Sequence, residues 1–272
     1  MEEQLNLKLF SRTTQSVKLT KAGECFLREC EKILFLYDDA CSKAWLLAQG
    51  YDSILRIGLP HYSLDDYLGP FIRYFSNEQP NINLTIHTGT PDQCLSMLLS
   101  DEVDCLLLMR LPYPNSERLV FKELFLEPLV ILANNGHHMA GREDLKITDV
   151  KDESFMNITG VYRQALWSHF TQLCNKYNFT PKFADTIYSD TESSLIAMQQ
   201  LTEGIIISGK SITSHIFRNT ACIGLNGEDC FLSVCLVFKP ENDKPVIKKF
   251  YTCFKAHVGK NGWDVDNLID IK

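Results

Sequence analysis

Apolar and polar residues follow one rhythm near the start of this chain and a different one over the rest. Between Leu19 and Leu47, apolar or small residues recur in steps of three and four, without Pro and with Gly23 as the only Gly. This heptad spacing predicts one helix over residues 20–50, roughly 40 Å long at about 1.5 Å per residue. That length is more typical of a helix that dimerises two chains than of one packed on its own domain. The residues predicted to face the second copy are Phe26, Cys30, Ile33, Tyr37, Ala40, Ala44 and Leu47.

The stretch "LFSRTTQSVKLT" has two short runs around the polar segment "TTQS", which predicts a β-hairpin before the long helix. Thr20 is the expected N-cap of that helix and Gly50 its expected stop. The hairpin is basic. The segment from Lys8 to Lys21 contains four basic residues, Lys8, Arg12, Lys18 and Lys21, and no acidic residue. On a chain of net charge −7 this patch indicates either a local anionic partner or a solvated hairpin, and charge alone favours the second.

After the long helix, strand patterns alternate with helix patterns in two successive halves. This alternation predicts an α/β fold with a parallel, helix-covered sheet. The predicted strands are "SILRIGLP", "NINLTIHTG", "VDCLLLMR", "LEPLVILAN", "SFMNI", "PKFADTIYS", "GIIIS" and "CFLSVCLVFK". The predicted helices are "SLDDYLGPFIRYFSNE", "TPDQCLSMLLSDE", "YRQALWSHFTQLCNKYN", "TESSLIAMQQLTE" and "PVIKKFYTCFKAH".

Composition excludes several classes of protein. The ten cysteines contain no C-x-x-C pair, so neither a zinc site nor a thioredoxin-like redox motif is indicated. No apolar run reaches the roughly 18–20 residues of a membrane span. The acidic start "MEEQLNLKLF" lacks the order of a signal peptide, so we expect a cytoplasmic protein with no membrane partner.

The first half of the α/β pattern places two capped helix N-termini at one edge of the predicted sheet. Ser63 and Thr90 are the expected caps, next to Tyr62 and Gly89. Such helix ends present free N–H groups and partial positive charge, which suits a small organic acid. Arg110, just past the third strand, is expected to add a charge-assisted bond.

The second half offers an opposing wall in two strand-to-helix turns, with Thr159 and Gly160 in one and Tyr188, Ser189 and Asp190 in the other. Two lobes that face each other across such loops would enclose a small-molecule effector. Each of these residues is equally compatible with a plain turn or cap.

Signatures of catalysis are missing from the sequence. It has no G-x-S-x-G, P-loop, H-E-x-x-H or G-x-G-x-x-G motif. His137 and His138 are adjacent in "NNGHHMAG", which reads as an exposed loop rather than a metal site. We therefore expect no enzyme activity, no metal and no cofactor.

Several stretches together resemble the LysR-type transcriptional regulators. "MEEQLNLKLFSRTTQSVKLTKAGECFL" is similar to the end of that family's recognition helix, its wing and the start of its linker helix. "LRIGLP", "TGTPDQCLSMLLSDEVDCLLL", "FLEPLVILANNGHHMAG" and "LTEGIIIS" resemble successive segments of its effector domain. The resemblance runs from Met1 to about His257 and implies a two-lobed, periplasmic-binding-protein-like effector domain, preceded by a wing remnant and a long linker helix.

The resemblance also implies the limits of the domains. Residues 1–19 would be the wing hairpin of a winged helix-turn-helix, and 20–50 the linker and dimerisation helix. Lobe I would comprise 53–127 and 236–260, lobe II 128–235, and the tail 261–272.

In the family, the helices that read DNA precede the wing, and here Met1 stands where the recognition helix ends. Arg12 and Lys18 of the wing are the expected phosphate contacts, while base readout needs the missing helix. A wrong start, a truncated gene and a natural partner that does not bind DNA remain open as explanations. The resemblance implies an effector-binding regulator that forms a homodimer or homotetramer and has DNA as a partner when the full winged helix-turn-helix is present. A periplasmic-type solute-binding protein is the alternative.

Overall fold

The computed structural model describes residues 1–12, 16–61, 65–211 and 218–260, and it divides into two units, Met1–Ile54 and Leu55–Lys272. In the first unit, helix α1 (Glu2–Leu5) precedes strands β1 (Phe10–Arg12) and β2 (Val17–Leu19) and the long helix α2 (Lys21–Ala48). The two strands pair antiparallel, with Phe10 opposite Leu19, so the predicted hairpin is confirmed.

Both predicted ends of α2 are confirmed. The Thr20 hydroxyl accepts a hydrogen bond from the N–H of Gly23 at 3.0 Å, which satisfies one of the free donors at the helix start. The helix stops at Ala48, and the N–H of Gly50 donates to the Leu47 carbonyl at 3.1 Å. Gly50 has a φ of +90°, a left-handed conformation that favours glycine at a helix C-terminus.

The second unit carries the α/β pattern. Its strands are β3 (Ser53–Pro60, beginning at the unit boundary), β4 (Ile82–Gly89), β5 (Cys105–Met109), β6 (Val120–Asn134), β7 (Asp144–Lys146), β8 (Ser154–Ile158), β9 (Lys182–Tyr188), β10 (Ile206–Gly209), β11 (Thr220–Asn226) and β12 (Phe231–Phe238). Its helices are α3 (Asp65–Glu78), α4 (Pro91–Leu99), α5 (Val161–Lys176), α6 (Thr191–Met198) and α7 (Pro245–Lys260).

The main sheet has the strand order β4-β3-β5-β12-β6-β11-β7, and β10 also pairs with β6. The expectation of a wholly parallel sheet was wrong. Strand β3 is parallel to β5, but β12 is antiparallel to both β5 and β6, and β10 and β11 are antiparallel to β6. The chain leaves the first half of the sheet along β6 and returns to it along β12. Because these two strands run in opposite directions, they pair antiparallel.

Apolar packing fills both halves of this fold. In the first half, α3 and α7 bring together four fully buried rings, with Phe71 and Phe250 edge-to-face at 5.0 Å; the set is Phe71, Phe75, Phe250 and Phe254. In the second half, Phe155 of β8 packs against Trp167 and Phe170 of α5, with ring centroids 5.5 and 5.1 Å apart. These clusters hold the helices on the sheets and so fix the loops that lie between the two halves.

Sequence reasoning missed two strands and placed the ends of several helices differently from the structure. Strands β7 and β11 were not predicted, since β7 has only three residues and β11 shows little apolar periodicity. Helix α6 ends at Met198, earlier than the stretch "TESSLIAMQQLTE" indicated. Within the described part of the chain, none of the helices combines the length and apolarity that crossing a membrane requires.

Candidate ligand-binding cavity

A cavity of about 480 Å³ lies in the second unit, where the N-terminal ends of α4, α5 and α6 meet strands of the main sheet. This volume falls within the roughly 300–1,000 Å³ range of small-molecule sites. Its lining comes from both halves of the fold. The lining residues are Pro60, His61, Thr90, Pro91, Asp92, Leu107, Leu108, Met109, Glu127, Thr159, Gly160, Tyr162, Arg163, Ser189, Asp190, Thr191, Glu192, Ser208, Ser211 and Val234.

Half of the predicted site residues line this cavity, namely Thr90, Thr159, Gly160, Ser189 and Asp190. Gly89 and Tyr188 do not line it, but their carbonyls hold its loops: Gly89 accepts the N–H of His61 and Tyr188 accepts the N–H of Thr159. Tyr62 and the expected cap Ser63 lie outside the described residues. The binding role of all these residues stays a prediction.

Arg110 is placed differently from the expectation, because it is not part of the cavity lining. The guanidinium carbon of Arg110 lies 5.8 Å from the centre of the Phe121 ring, and the backbone N–H of Arg110 donates to the Ser233 carbonyl. The guanidinium in the cavity is that of Arg163 on α5, which sequence reasoning missed.

At the helix N-termini around the cavity, side-chain oxygens already accept some of the N–H groups that the sequence had suggested for a ligand. At α4, Thr90 and Gln93 form the predicted capping box. At α6, an Asp190 carboxylate oxygen accepts the N–H of Ser193 at 2.7 Å. The first N–H groups of a helix have no partner within it, so nearby side-chain oxygens take them up. Fewer N–H groups are therefore available there than the sequence suggested, and the binding of a small organic acid at these helix ends stays a prediction.

Asp92 caps α5 from outside that helix. Its two carboxylate oxygens accept the N–H groups of Val161 and Tyr162 at 3.0 and 3.1 Å. Gly160, the N-cap position of α5, has no side chain of its own to do this. Because Asp92 lies in the first turn of α4, this contact joins the first half of the fold to the second across the cavity.

Arg163 is a buried cation with polar but no acidic partners. Only 4% of its surface is exposed. It donates to the Ile207 carbonyl at 3.0 Å and twice to the Thr191 hydroxyl, at 3.2 and 2.9 Å. Burial lowers the pKa of this guanidinium, yet an arginine keeps its charge in proteins. No ion pair joins it to any acidic side chain among the described residues.

Glu127 is the buried carboxyl group of the cavity and is 0% exposed. Its Oε1 accepts the N–H of Ser211 at 2.6 Å, and its Oε2 has no hydrogen-bond partner in the described structure. Burial raises the pKa of Glu127, and the hydrogen bonds from Ser211 only partly oppose this. A Cβ at Gly209 would lie 2.7 Å from the Glu127 carboxyl carbon, so glycine lets β10 pass close to this side chain.

The LysR substrate binding domain family matches residues 48–259, which is most of the chain. The chain belongs to the LysR family of transcriptional regulators. It is 23% identical over 262 residues to the regulator AlsR of Bacillus subtilis, covering 92% of this chain and 82% of AlsR. It is 24% identical to the regulator YnfL of Escherichia coli, covering 92% of this chain and 84% of that protein. These relatives are transcriptional regulators, which does not support the alternative of a periplasmic solute-binding protein.

Solved LysR structures share the fold. CbnR, a LysR family transcriptional regulator, matches with a TM-score of 0.76 at 17% identity, covering 94% of this chain and 86% of that chain. The BenM effector-binding domain, solved with benzoate, matches with a TM-score of 0.63 at 15% identity, covering 78% of this chain and 95% of that domain. The predicted two-lobed effector domain is thereby confirmed, and the two halves described above are its lobes.

In this LysR-family chain, the expected dimer residues on α2 leave much apolar surface uncovered. Ile33, Tyr37 and Leu47 are 65%, 68% and 58% exposed. Ala40 and Ala44 are exposed, whereas Phe26 and Cys30 are half-buried. Of the expected phosphate contacts, Lys18 is exposed on β2 and Arg12 ends β1. The structure contains one chain, so both roles stay predictions.

The loop with the adjacent histidines is not fully exposed as the sequence had indicated, because one of the two histidines is buried. His137 is buried, and the Nε2 atoms of His137 and His138 lie 3.3 and 3.2 Å from the carboxylate of Glu153. The three side chains place possible ligand atoms within 4.8 Å of one another. However, His137 Nδ1 accepts the N–H of Met139, so Nε2 carries the proton and faces Glu153. This arrangement is that of a hydrogen-bonded loop.

Proposed function

We propose that this LysR-family regulator senses a small molecule in the cavity between its lobes and converts binding into control of transcription. The observation that carries the proposal is the ligand-sized cavity with two buried charged side chains, Arg163 and Glu127, that have no ion-pair partner among the described residues. Buried charges without partners are costly, and such groups cluster at functional sites.

Two solved structures of the same fold support the choice of partners. The BenM domain was solved with its effector benzoate, and full-length CbnR was solved with its target DNA. For this chain we propose a small-molecule effector in the cavity and DNA as the second partner, with Arg12 and Lys18 contacting phosphates beside a winged helix-turn-helix. The regulator would act in the cytoplasm, where its DNA is, and would bind rather than catalyse.

The long helix supplies a route for the signal. We propose that α2 pairs with α2 of a second copy, since exposed Ile33, Tyr37 and Leu47 follow the heptad spacing. The effector would then favour one arrangement of subunits, in a homodimer or homotetramer, by binding it more tightly than the other.

Thermal unfolding with a library of acids, amines, sugars and nucleosides tests the proposal. A ligand present at about 100 times its Kd stabilises the folded state by roughly 2.7 kcal/mol, which raises Tm measurably. The variant Arg163→Gln should lose most of that response. The control Arg142→Gln lies outside the cavity, where Arg142 pairs with Asp149 at 2.6 Å, and it should respond like the wild type. A library in which nothing raises Tm, or an undiminished response of Arg163→Gln, would contradict the proposal.

A further inference from the structure

The buried carboxyl group of Glu127 has one oxygen that no group in the described part of the chain uses. Ser211 occupies Oε1, whereas Oε2 has no hydrogen-bond partner among the described residues, although Glu127 is 0% exposed and lines the cavity. A buried acceptor without a donor costs free energy, and the cost is greater for a charged group. A ligand that brings a donor to Oε2 would remove this cost.

Arg163 offers the complementary group in the same cavity. A guanidinium has five N–H donors, and the three bonds to Ile207 and Thr191 leave two of them without a partner among the described residues. No described carboxylate forms an ion pair with it, and Glu127 in particular does not. Two free N–H donors on a guanidinium are a good match for a carboxylate.

The charge of the lining separates the possible ligands. Among the described lining residues there are four carboxyl groups, those of Asp92, Glu127, Asp190 and Glu192, and Arg163 is the single guanidinium. A purely anionic ligand would be attracted by one group and repelled by four. A ligand that also carries a positive charge would lessen this repulsion and would give Glu127 Oε2 the donor that it lacks among the described residues.

We propose that the effector is a small zwitterion, an amino acid or a close relative, whose ammonium group binds Glu127 Oε2 and whose carboxylate binds Arg163. This inference rests on the proposed function of the cavity as an effector site. The apolar lining of Leu107, Met109 and Val234 would receive the carbon skeleton. The raised pKa of Glu127 agrees with a carboxyl group that burial keeps from water while no cation lies beside it.

Matched compounds test the inference on the full chain. The panel holds alanine, leucine, phenylalanine, γ-aminobutyrate and δ-aminovalerate, each with its amine-free acid (propionate, isocaproate, hydrocinnamate, butyrate or valerate) and its decarboxylated amine. Both α- and ω-amino acids are included because they separate the two charges differently. Binding is measured by titration calorimetry at one neutral pH and one salt concentration.

Three variants assign the groups. Glu127→Gln keeps the size of the side chain and removes its charge, and Arg163→Gln removes the cation. The control Glu123→Gln changes the same residue type on the same strand, where Glu123 accepts a bond from the Ser233 hydroxyl outside the cavity. The amine-free acids provide a test on the wild type that does not depend on any variant folding.

We expect each substitution to weaken binding only of the compounds that carry the charged group which the replaced side chain binds. At least one amino acid should bind the wild type and Glu123→Gln about tenfold or more tightly than its amine-free acid, which is the worth of one charge-assisted hydrogen bond. Glu127→Gln should abolish that difference. Arg163→Gln should weaken binding of the amino acid and leave binding of the decarboxylated amine unchanged.

The inference and the proposed function fail in different ways. Acids that bind as tightly as their amino acids, or equally reduced binding of both to Glu127→Gln, would overturn the zwitterion while leaving a sensing cavity. Binding by no compound of this panel or of the wider library would overturn both.

Discussion

Replacing Asp92 by Ala removes the only side chain that caps α5 among the described residues, and it removes it from the opposite lobe. The two lost hydrogen bonds run from the N–H groups of Val161 and Tyr162 to a carboxylate. An N-cap replacement costs about 0.5–2 kcal/mol, and the lost attraction between a carboxylate and a helix N-terminus adds roughly 0.3–1 kcal/mol. The better helix propensity of Ala in α4 returns up to about 0.7 kcal/mol. We expect a net loss of about 1–2 kcal/mol in the free energy of unfolding.

Urea unfolding of Asp92→Ala and Asp190→Ala measures this loss against a matched control. Asp190 caps α6 through the N–H of Ser193, three residues away in its own loop and helix, so its replacement costs a cap without loosening the lobes. We expect about 1 kcal/mol for Asp190→Ala. Small-angle scattering should show a larger radius of gyration for Asp92→Ala alone.

Two results would refute this reasoning. A loss below about 0.5 kcal/mol for Asp92→Ala would mean that water replaces the cap at little cost. An equal change of the radius of gyration in Asp190→Ala would mean that the cap on α5 does not hold the lobes together.

Three further perturbations have outcomes that follow from the contacts described above. The folded-state pKa of Glu127 lies above its ordinary value of 4.5, so the folded state keeps its proton to higher pH than the unfolded state. The free energy of unfolding therefore falls as the pH rises from 4.5 through the folded-state pKa. Glu127→Gln should remove this part of the pH dependence in urea titrations, and an unchanged profile would contradict it. Burial raises the pKa of Asp104, but the hydrogen bonds from Arg56 and Lys244 outweigh it and lower the pKa below 3.8. Asp104→Asn should therefore cost about 3 kcal/mol at neutral pH and progressively less as acid protonates the wild type, whereas a small loss at neutral pH would show that the pair contributes little. Replacing Ile33 and Tyr37 together by Asp should convert the proposed α2-paired dimer to monomers in sedimentation, whereas Asp38→Asn should not. An unchanged mass would exclude pairing through this face of α2.

Features that depend on residues a few positions apart could be predicted from the amino-acid sequence. The Thr90 capping box joins residues three apart, and Thr20 caps α2 through the N–H three residues on. The hairpin, the long helix and the turn at Gly50 follow from equally local patterns. These interactions form wherever the segment folds, so the spacing of residue types is sufficient to predict them.

Tertiary structure alone decided the direction of the crossing strands and the chemistry of the cavity. Asp92 meets Val161 across 69 residues of chain, Glu127 meets Ser211 across 84, and Arg163 meets Ile207 across 44. None of these residues stands out in its own segment: Asp92 reads as a first-turn acid, and Arg163 as a polar position on a helix. Their roles arise because the tertiary fold brings distant segments together and buries Glu127 and Arg163, which raises the cost of leaving these charges unpaired.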